Sequence, residues 1–141
     1  MPRRRFARLE GGQSLVEFAL MLPAIVLIIL VLFDVASAAW QENTLAYAAR
    51  EGTRYAIVHG SAAPSPAWPD NDQAVKDVVR NAATGVHGVT VTVTWPDGCY
   101  DRQCRVAVDA TAPFVPLPSQ YLLGGAFQLT LKGGSMLVIQ R

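Results

Sequence analysis

Glu17 is the residue whose position most clearly suggests chemistry, because it lies directly before an apolar run. Sixteen residues without a charged side chain follow it, from Phe18 to Phe33, and four arginines precede it at positions 3, 4, 5 and 8. Burying a charge in hydrocarbon costs at least about 2.5 kcal/mol. We therefore expect the Glu17 carboxylate to have a specific cationic partner.

Cys99 and Cys104 are the only cysteines, and they stand at the mouth of a predicted hairpin. A structural zinc site needs four ligands, and no further Cys or His lies near this pair. Outside the cytoplasm, two neighbouring thiols are oxidised. We predict a structural disulfide between them, with metal binding as the less favoured alternative.

The other residues that could do chemistry do not form a catalytic pattern. The two histidines are far apart, and Ser135 follows two glycines without the Gly-x-Ser-x-Gly arrangement of a nucleophile elbow. The aspartates at 97, 101 and 109 lack the spacing of a calcium-binding EF-hand loop. We expect no enzymatic activity, no cofactor, no metal site and no small-molecule substrate.

Composition indicates one small domain and a membrane segment. The 141 residues are 51% hydrophobic and 16% charged. Four of the 12 basic residues but one of the 11 acidic residues fall in the first twelve positions, so the rest of the chain has a net charge of −2. A nucleic-acid-binding module would carry clustered basic residues on its folded part. We therefore expect no nucleic-acid partner.

The apolar run predicts the topology. Residues 13–40 form a predicted transmembrane helix, with Trp40 at the outer interface. Basic residues before the run, and none after it until position 50, predict a cytoplasmic N-terminus. Pro23 removes one helical hydrogen bond and should soften or kink the helix. Asp34 is expected to reach interfacial water, and a contact with another subunit is the alternative.

Two other interpretations of this N-terminus stay open. Ala36-Ser37-Ala38 is also a small-x-small sequence that a signal peptidase could cleave, which would release a secreted domain. Glu17 and an apolar run longer than an ordinary signal sequence disfavour that interpretation. Without any cleavage, the chain would be a single-pass membrane anchor carrying a periplasmic binding or sensor domain.

The pattern after the membrane segment predicts a stalk and a head. Apolar residues continue at helical spacing to Val58, so residues 41–59 should extend the transmembrane helix. Gly52 lowers helix propensity by about 1 kcal/mol, which suggests a close contact at that point. Residues 60–69 contain three prolines and are predicted to be a linker. Residues 70–141 should form the extracytoplasmic head.

The head has the pattern of an α+β fold, with one helix on a mostly antiparallel sheet. Asp70 or Asp72 can cap a helix whose apolar stripe ends before Gly85. Residues 89–95 alternate strictly as a half-buried strand does, and residues 96–98 form a turn to a returning strand. Alternation resumes at residues 127–131. The pair Gly133-Gly134 is then expected to turn the chain into a last strand at 136–139.

The N-terminal residues resemble the class III leader of type IV pilin-like proteins. In such leaders a prepilin peptidase cuts after a glycine on the cytoplasmic side of the membrane. The fifth residue of the mature chain is a carboxylate that pairs with the new terminal amine of a neighbouring subunit. The resemblance places the cut between Gly12 and Gln13, makes residues 1–12 the leader, and assigns subunit assembly to Glu17, Phe18 and Pro23.

The sequence Asn-Thr-Leu-Ala-Tyr-Ala-Ala-Arg-Glu-Gly-Thr-Arg-Tyr-Ala at 43–56 is similar to the signature of TadE-like proteins. Together with the residues around Glu17, the resemblance covers about residues 12–58. The motif positions carried over are Asn43, Arg50, Glu51, Gly52, Arg54 and Tyr55. The final residues, ending in Arg141, depart from the acidic end of many such chains.

This resemblance implies a minor pilin, or pseudopilin, of the tight-adherence (Flp, type IVc) pilus, which functions in cell adhesion. The implied partners are a prepilin peptidase, other pilins and the pilus assembly platform. The implied location is the bacterial inner membrane, with the head in the periplasm and later incorporation into a pilus.

Overall fold

One long helix, α1, spans Gly11–Val58 in the computed structural model. The structure describes residues 11–122 and 124–140, so nearly all of the predicted leader lies outside the described residues. At 1.5 Å per residue, the 48 residues of α1 extend about 72 Å. The helix continues past Pro23 instead of melting there, and a softer helix at that proline stays a prediction.

The second half of α1 belongs to the core of the head. Leu45, Ala48 and Ala49 are completely buried. Thr53 is also buried, and its hydroxyl donates a 2.7 Å hydrogen bond to the carbonyl of Ala49. The helix continues through the predicted stalk as far as Val58, and this part of it packs against the head. The small side chains of the alanines let other elements pack closely against this face of the helix.

The head is built on a three-stranded antiparallel sheet. Its strands are β1, Thr90–Thr94, β2, Arg105–Phe114, and β3, Leu129–Val138, and β2 lies in the middle. In β1 the two valines, Val91 and Val93, are buried while the threonines are exposed, which confirms the predicted alternation. The buried face of the sheet packs against α1.

Two glycines allow the helix to pack this closely. A Cβ atom on Gly52 would overlap Cγ2 of Val79, so the predicted close contact at Gly52 is with the protein's own head. The predicted turn at Gly133 and Gly134 is wrong, because both residues lie inside β3. A Cβ atom on Gly133 would lie only 2.7 Å from Cα of Ala46 and closer still to its amide nitrogen. Gly133 is therefore needed for contact between helix and strand backbones.

The proline-rich segment 60–69 is attached to the head and is not an extended spacer. The amide of Ser61 donates to the carbonyl of Tyr100 at 3.2 Å, and the amide of Ala67 donates to the carbonyl of His59 at 2.7 Å. Ala67 is buried. The prolines end α1, as predicted, but the chain then folds back onto the head.

Two further helices complete the fold. A 3₁₀ turn, Pro69–Asn71, leads into α2, Gln73–Ala82. Asp72 occupies the predicted N-cap position without making a side-chain capping bond, and its carboxylate instead pairs with Lys76 at 2.7 Å. The short helix α3, Leu117–Leu122, was not predicted, because six residues are too few to show a helical period. The predicted α+β class, a long apolar helix followed by a small helix-and-sheet head, is confirmed.

Candidate functional site

The predicted processing site lies in α1, among the first residues that the structure describes. Gly12 and Gln13 are helical and exposed. Each glycine lowers helix propensity by about 1 kcal/mol. Two consecutive glycines at 11 and 12 therefore make this part of the helix easy to unwind. A protease that binds an extended chain could reach the bond between Gly12 and Gln13 at small energetic cost.

Glu17 lies one turn after the predicted cleavage point. Its carboxylate is exposed and accepts a 3.3 Å hydrogen bond from the side-chain amide of Gln13. This donor is neutral and lies four residues away on the same helix, so the region around residue 13 is within reach of Glu17. Among the residues that the structure describes, none forms an ion pair with Glu17, and its cationic partner stays a prediction.

The first half of α1 exposes a continuous apolar surface. Leu15, Phe18 and Leu20 are 69%, 63% and 74% exposed, and large apolar side chains remain exposed as far as Phe33. The helix is long and apolar enough to cross a membrane, and its most apolar window has no residue buried within the protein. This finding suggests membrane anchoring, because water is an unfavourable surrounding for so large an apolar surface.

Asp34 lies within this side of the helix, since Val35 after it is again exposed, and it joins α1 to α3. Its side chain is buried, and Oδ1 accepts a 3.1 Å hydrogen bond from the amide of Leu117, the first residue of α3. The expectation that Asp34 reaches interfacial water is therefore wrong, and its alternative, a contact with another subunit, stays a prediction. Asp34 satisfies an otherwise unpaired amide at a helix N-terminus, where a carboxylate is favoured. No local pattern predicts this contact, because its partner is 83 residues away.

An apolar cleft of about 510 Å³ lies beside Asp34, between α1 and the head. Val31, Val35 and Ala38 form its helical wall, and Phe114 and Phe127 are among the head residues opposite. The cleft lies where the exposed apolar surface of α1 meets the head. An acyl chain or an apolar side chain would fit its lining, whereas a charged ligand would not.

Four residues of the 43–54 segment form an outward stripe on α1. Asn43, Tyr47, Arg50 and Arg54 are all exposed, and at 100° per residue they fall within an arc of about 60°. The buried residues Leu45, Ala48, Ala49, Gly52 and Ala56 lie on the opposite side of the helix. The predicted motif positions therefore have two different roles. One side of the helix holds the head, and the outward stripe is available to another molecule.

The remaining motif residues have contacts within the chain. Glu51 pairs with Arg54 at 3.0 Å, as the sequence suggested, and this exposed pair adds little stability. Tyr55 is partly buried and stacks on His59, with ring centroids 3.9 Å apart. His59 therefore closes the end of α1 against Tyr55. Its ring Nδ1 also lies 2.8 Å from the carbonyl of Tyr55.

The loop between β1 and β2 is held by a disulfide and an ion pair. Cys99 and Cys104 are bonded, which confirms the predicted pairing, and their Cα atoms are 5.8 Å apart. The carboxylate of Asp97 accepts hydrogen bonds from the guanidinium of Arg105, the shortest of them 2.7 Å. It also accepts a 2.8 Å hydrogen bond from the backbone amide of Arg105. The side-chain bond, followed by the backbone bond, holds the pKa of Asp97 below its ordinary value. These contacts fix the shape of the loop.

Comparison with known proteins supports the interpretation of the N-terminal half. A family model described as TadE-like protein matches residues 12–54, which begin at the predicted cleavage site and include most of the 43–56 motif. Comparisons with curated proteins and with solved structures gave no significant match. The family match suggests a component associated with the tight-adherence pilus and with the membrane.

Proposed function

We propose that this chain, whose residues 12–54 match the family model of TadE-like proteins, is a minor pilin of a tight-adherence (Flp, type IVc) pilus. The observation that carries the proposal is the exposed apolar surface of α1 up to Phe33, joined through a continuous helix to a folded head. An apolar helix of this kind can lie in a bilayer and later pack against the helices of other pilins. The protein is a structural component and not an enzyme.

Processing by a prepilin peptidase after Gly12 prepares the helix for assembly. The cut removes all five charged side chains of residues 1–12, which are four arginines and Glu10. These arginines anchor the helix at the cytoplasmic surface, because each would have to cross hydrocarbon if the helix were withdrawn. The cut also creates a positively charged amine on Gln13. Glu17 of one subunit then pairs with that amine in a neighbouring subunit.

The head restricts where the membrane can lie. Because Asp34 contacts α3, we propose that the outer membrane boundary lies near Asp34, instead of near Trp40 as the sequence suggested. Residues 18–33 then span about 24 Å, which is shorter than a hydrocarbon core of about 30 Å. Glu17 would consequently lie at or just inside the inner edge of the hydrocarbon. A carboxylate held there gains from a cationic partner, which supports the proposed pairing.

The outward stripe is the second proposed contact with other pilins. Asn43, Tyr47, Arg50 and Arg54 continue the exposed side of α1 beyond the membrane, opposite the residues that hold the head. Their backbone is fixed by the core, so the stripe is presented as a rigid surface. We propose that this stripe packs against a neighbouring pilin or the assembly platform while the head faces away. The N-terminus then lies in the cytoplasm and the head in the periplasm.

The proposal can be tested with Glu17→Ala and a matched Glu42→Ala control. Glu42 is also an exposed glutamate on α1, but it lies in the part of the helix outside the proposed span. We expect Glu17→Ala to be cleaved normally but lost from sheared pili, whereas Glu42→Ala should be cleaved and incorporated. Normal incorporation of Glu17→Ala would contradict the charge-pair mechanism.

Secretion after Ala38 receives less support from the fold. That cut would remove Asp34, which supplies a buried hydrogen bond to α3, and would open the apolar cleft on one side. A segment that helps to hold the head together is an unsuitable signal peptide. A permanently uncleaved membrane anchor would keep Asp34. Its N-terminal residue, Met1 or Pro2, would distinguish it from a pilin that begins at Gln13.

A further inference from the structure

The end of the head nearest the apolar surface of α1 is itself apolar. Residues 110–131, which run from the second half of β2 through α3 into β3, contain no charged side chain. Within this segment Tyr121, Phe127 and Leu129 are 79%, 55% and 43% exposed. These three residues and the apolar cleft beside Asp34 are called the proximal surface below. An exposed apolar surface of this kind marks a site of interaction.

The proximal surface lies at the same level along α1 as the end of the proposed membrane span. Phe127 and Leu129 line the cleft together with Val31 of α1. Val31 belongs to the exposed apolar run that ends at residue 33. The bond from the amide of Leu117 to Asp34 fixes the start of α3 at this level. If Val31 is in hydrocarbon, Phe127 therefore borders the hydrocarbon as well.

Polar groups at this end of the head are paired within the chain, as contact with hydrocarbon requires. Ser119 is buried, and its hydroxyl donates a 3.1 Å hydrogen bond to the carbonyl of Phe127. The same hydroxyl accepts a 3.0 Å bond from the amide of Phe127. The carbonyl of Ser119 accepts a 2.9 Å bond from the amide of Gly125. Pro116 and Pro118, which also line the cleft, have no amide hydrogen to satisfy.

Lipid in the cleft would also correct the short length of the apolar span. Residues 18–33 extend about 24 Å, whereas a hydrocarbon core is about 30 Å thick. The helical wall of the cleft continues to Ala38, and residues 18–38 extend about 32 Å. Asp34 is the one charged residue in this longer stretch. Its side chain is buried and bonded to the amide of Leu117, so the longer stretch matches the core without an exposed charge.

We propose that the proximal surface is a second membrane contact, in which acyl chains of outer-leaflet phospholipids fill the cleft and cover Phe127 and Leu129. Tyr121 then lies at the level of the headgroups, where tyrosine is enriched in membrane proteins. The family match, which suggests association with the membrane, supports lipid as the occupant. The inference rests on the membrane position of α1 in the proposed function, but not on assembly into a pilus.

The apolar helix of a neighbouring pilin is the competing occupant. Such a helix is chemically compatible with the cleft, but a subunit in the membrane is surrounded by lipid before it meets another pilin. The charge-free segment 110–131 also offers no ion pair that would select a protein partner, and an acyl chain needs none. Lipid is therefore the favoured occupant. The head is then held against the membrane at two places, α1 and the proximal surface.

The test places a fluorinated probe, trifluoromethylphenylalanine, at one position at a time in the full-length protein, reconstituted as single copies in lipid nanodiscs. The probe replaces Phe127 or Tyr121 on the proximal surface. Phe33 is the lipid control, and Tyr47, exposed on α1 about 20 Å beyond Asp34, is the water control. Dissolved oxygen concentrates in hydrocarbon, whereas a nickel chelate stays in water. The broadening of each fluorine NMR signal by these two agents is compared.

A charged variant adds a second measurement. A carboxylate is unfavourable in hydrocarbon, so Phe127→Asp should withdraw the proximal surface from the lipid and raise the nickel broadening of the Tyr121 probe several-fold. Ser65→Asp is the matched control, because Ser65 is an exposed head residue beyond the far end of α1, and it should leave the probe unchanged. Slow amide exchange in β2 verifies that each variant keeps its fold. A Tyr121 probe that does not respond to Phe127→Asp would contradict the lipid contact.

We expect oxygen to broaden the Phe127 probe about as much as the Phe33 probe, and the nickel chelate to broaden both several-fold less than the Tyr47 probe. The Tyr121 probe should give intermediate values. A Phe127 probe that behaves like the Tyr47 probe, while Phe33 reports hydrocarbon, would overturn this inference and leave the membrane anchor standing. A Phe33 probe in water would overturn the membrane position of α1 as well. Protection of Phe127 only in discs that hold several copies or other pilins would assign the surface to a pilin partner and overturn the lipid contact.

Discussion

The close packing of α1 on α2 can be tested at Gly52 with a single added methyl group. In Gly52→Ala the new Cβ would overlap Cγ2 of Val79 and lie 3.4 Å from Cγ1 of Val108. Overpacking of this kind costs about 1–3 kcal/mol. Because a valine side chain is restricted in χ1 and cannot easily rotate away from the clash, we expect a cost in the upper half of that range. Alanine also gains about 1 kcal/mol of helix propensity over glycine. We expect a net destabilisation of about 1–2 kcal/mol.

The assay is thermal and chemical unfolding of the head in detergent, followed by tryptophan fluorescence. Gly52→Ala should lower the Tm by about 8 °C. Val79→Ala removes the side-chain atom that would clash with the new Cβ. The double variant should therefore lose about 2 kcal/mol less stability than the sum of the losses measured for the two single variants. Val75→Ala is the matched control, because Cγ1 of Val75 would lie at an ordinary 3.6 Å. A Gly52→Ala variant as stable as the native chain, or rescue by Val75→Ala, would refute the packing argument.

Three further predictions concern other parts of the head. Asp34→Ala should lose about 1–2 kcal/mol and speed amide exchange at the start of α3, because a buried amide loses its acceptor; unchanged exchange there would contradict the capping role. Arg105 lowers the pKa of Asp97 in the folded protein. The ion pair should therefore stabilise the head fully above about pH 4, the ordinary pKa of an aspartate, and this stabilisation should be lost as the pH falls through the lower pKa of the folded state. Asp97→Asn should therefore show a smaller loss of stability on acidification, and an identical pH profile would refute this assignment. Replacing Cys99 and Cys104 by serine should cost about 2 kcal/mol, measured by unfolding without reductant, and no loss would show that the short loop is already ordered.

The sequence predicts those features that depend on local patterns. The alternation of valine and threonine around Val91 places β1 correctly and identifies its buried side. The pairing of Cys99 with Cys104 follows from their separation and compartment. Gly52, unfavourable in a helix, correctly indicates a close contact. Each of these inferences uses residues close together in the chain.

The features that were missed depend on contacts between distant residues. A glycine pair between two alternating segments is typical of a turn, but Gly133 and Gly134 lie within β3 because α1 crosses the strand at Ala46. Asp34 looked like an interfacial residue, since the amide that it binds belongs to α3. A cleft of about 610 Å³ in the head combines Trp68 with residues of the β1–β2 loop, so no single segment indicates it.

The central claim, that this chain is a processed pilin subunit, is tested most directly by the mass of its N-terminal peptide. The protein should be purified from native membranes of cells with and without the prepilin peptidase. We predict that Gln13 is the first residue when the peptidase is present, and that an N-terminus at Met1 or Pro2 is recovered when it is absent. An N-terminus at Met1 or Pro2 in both strains, or at Ala39 in either, would contradict the account.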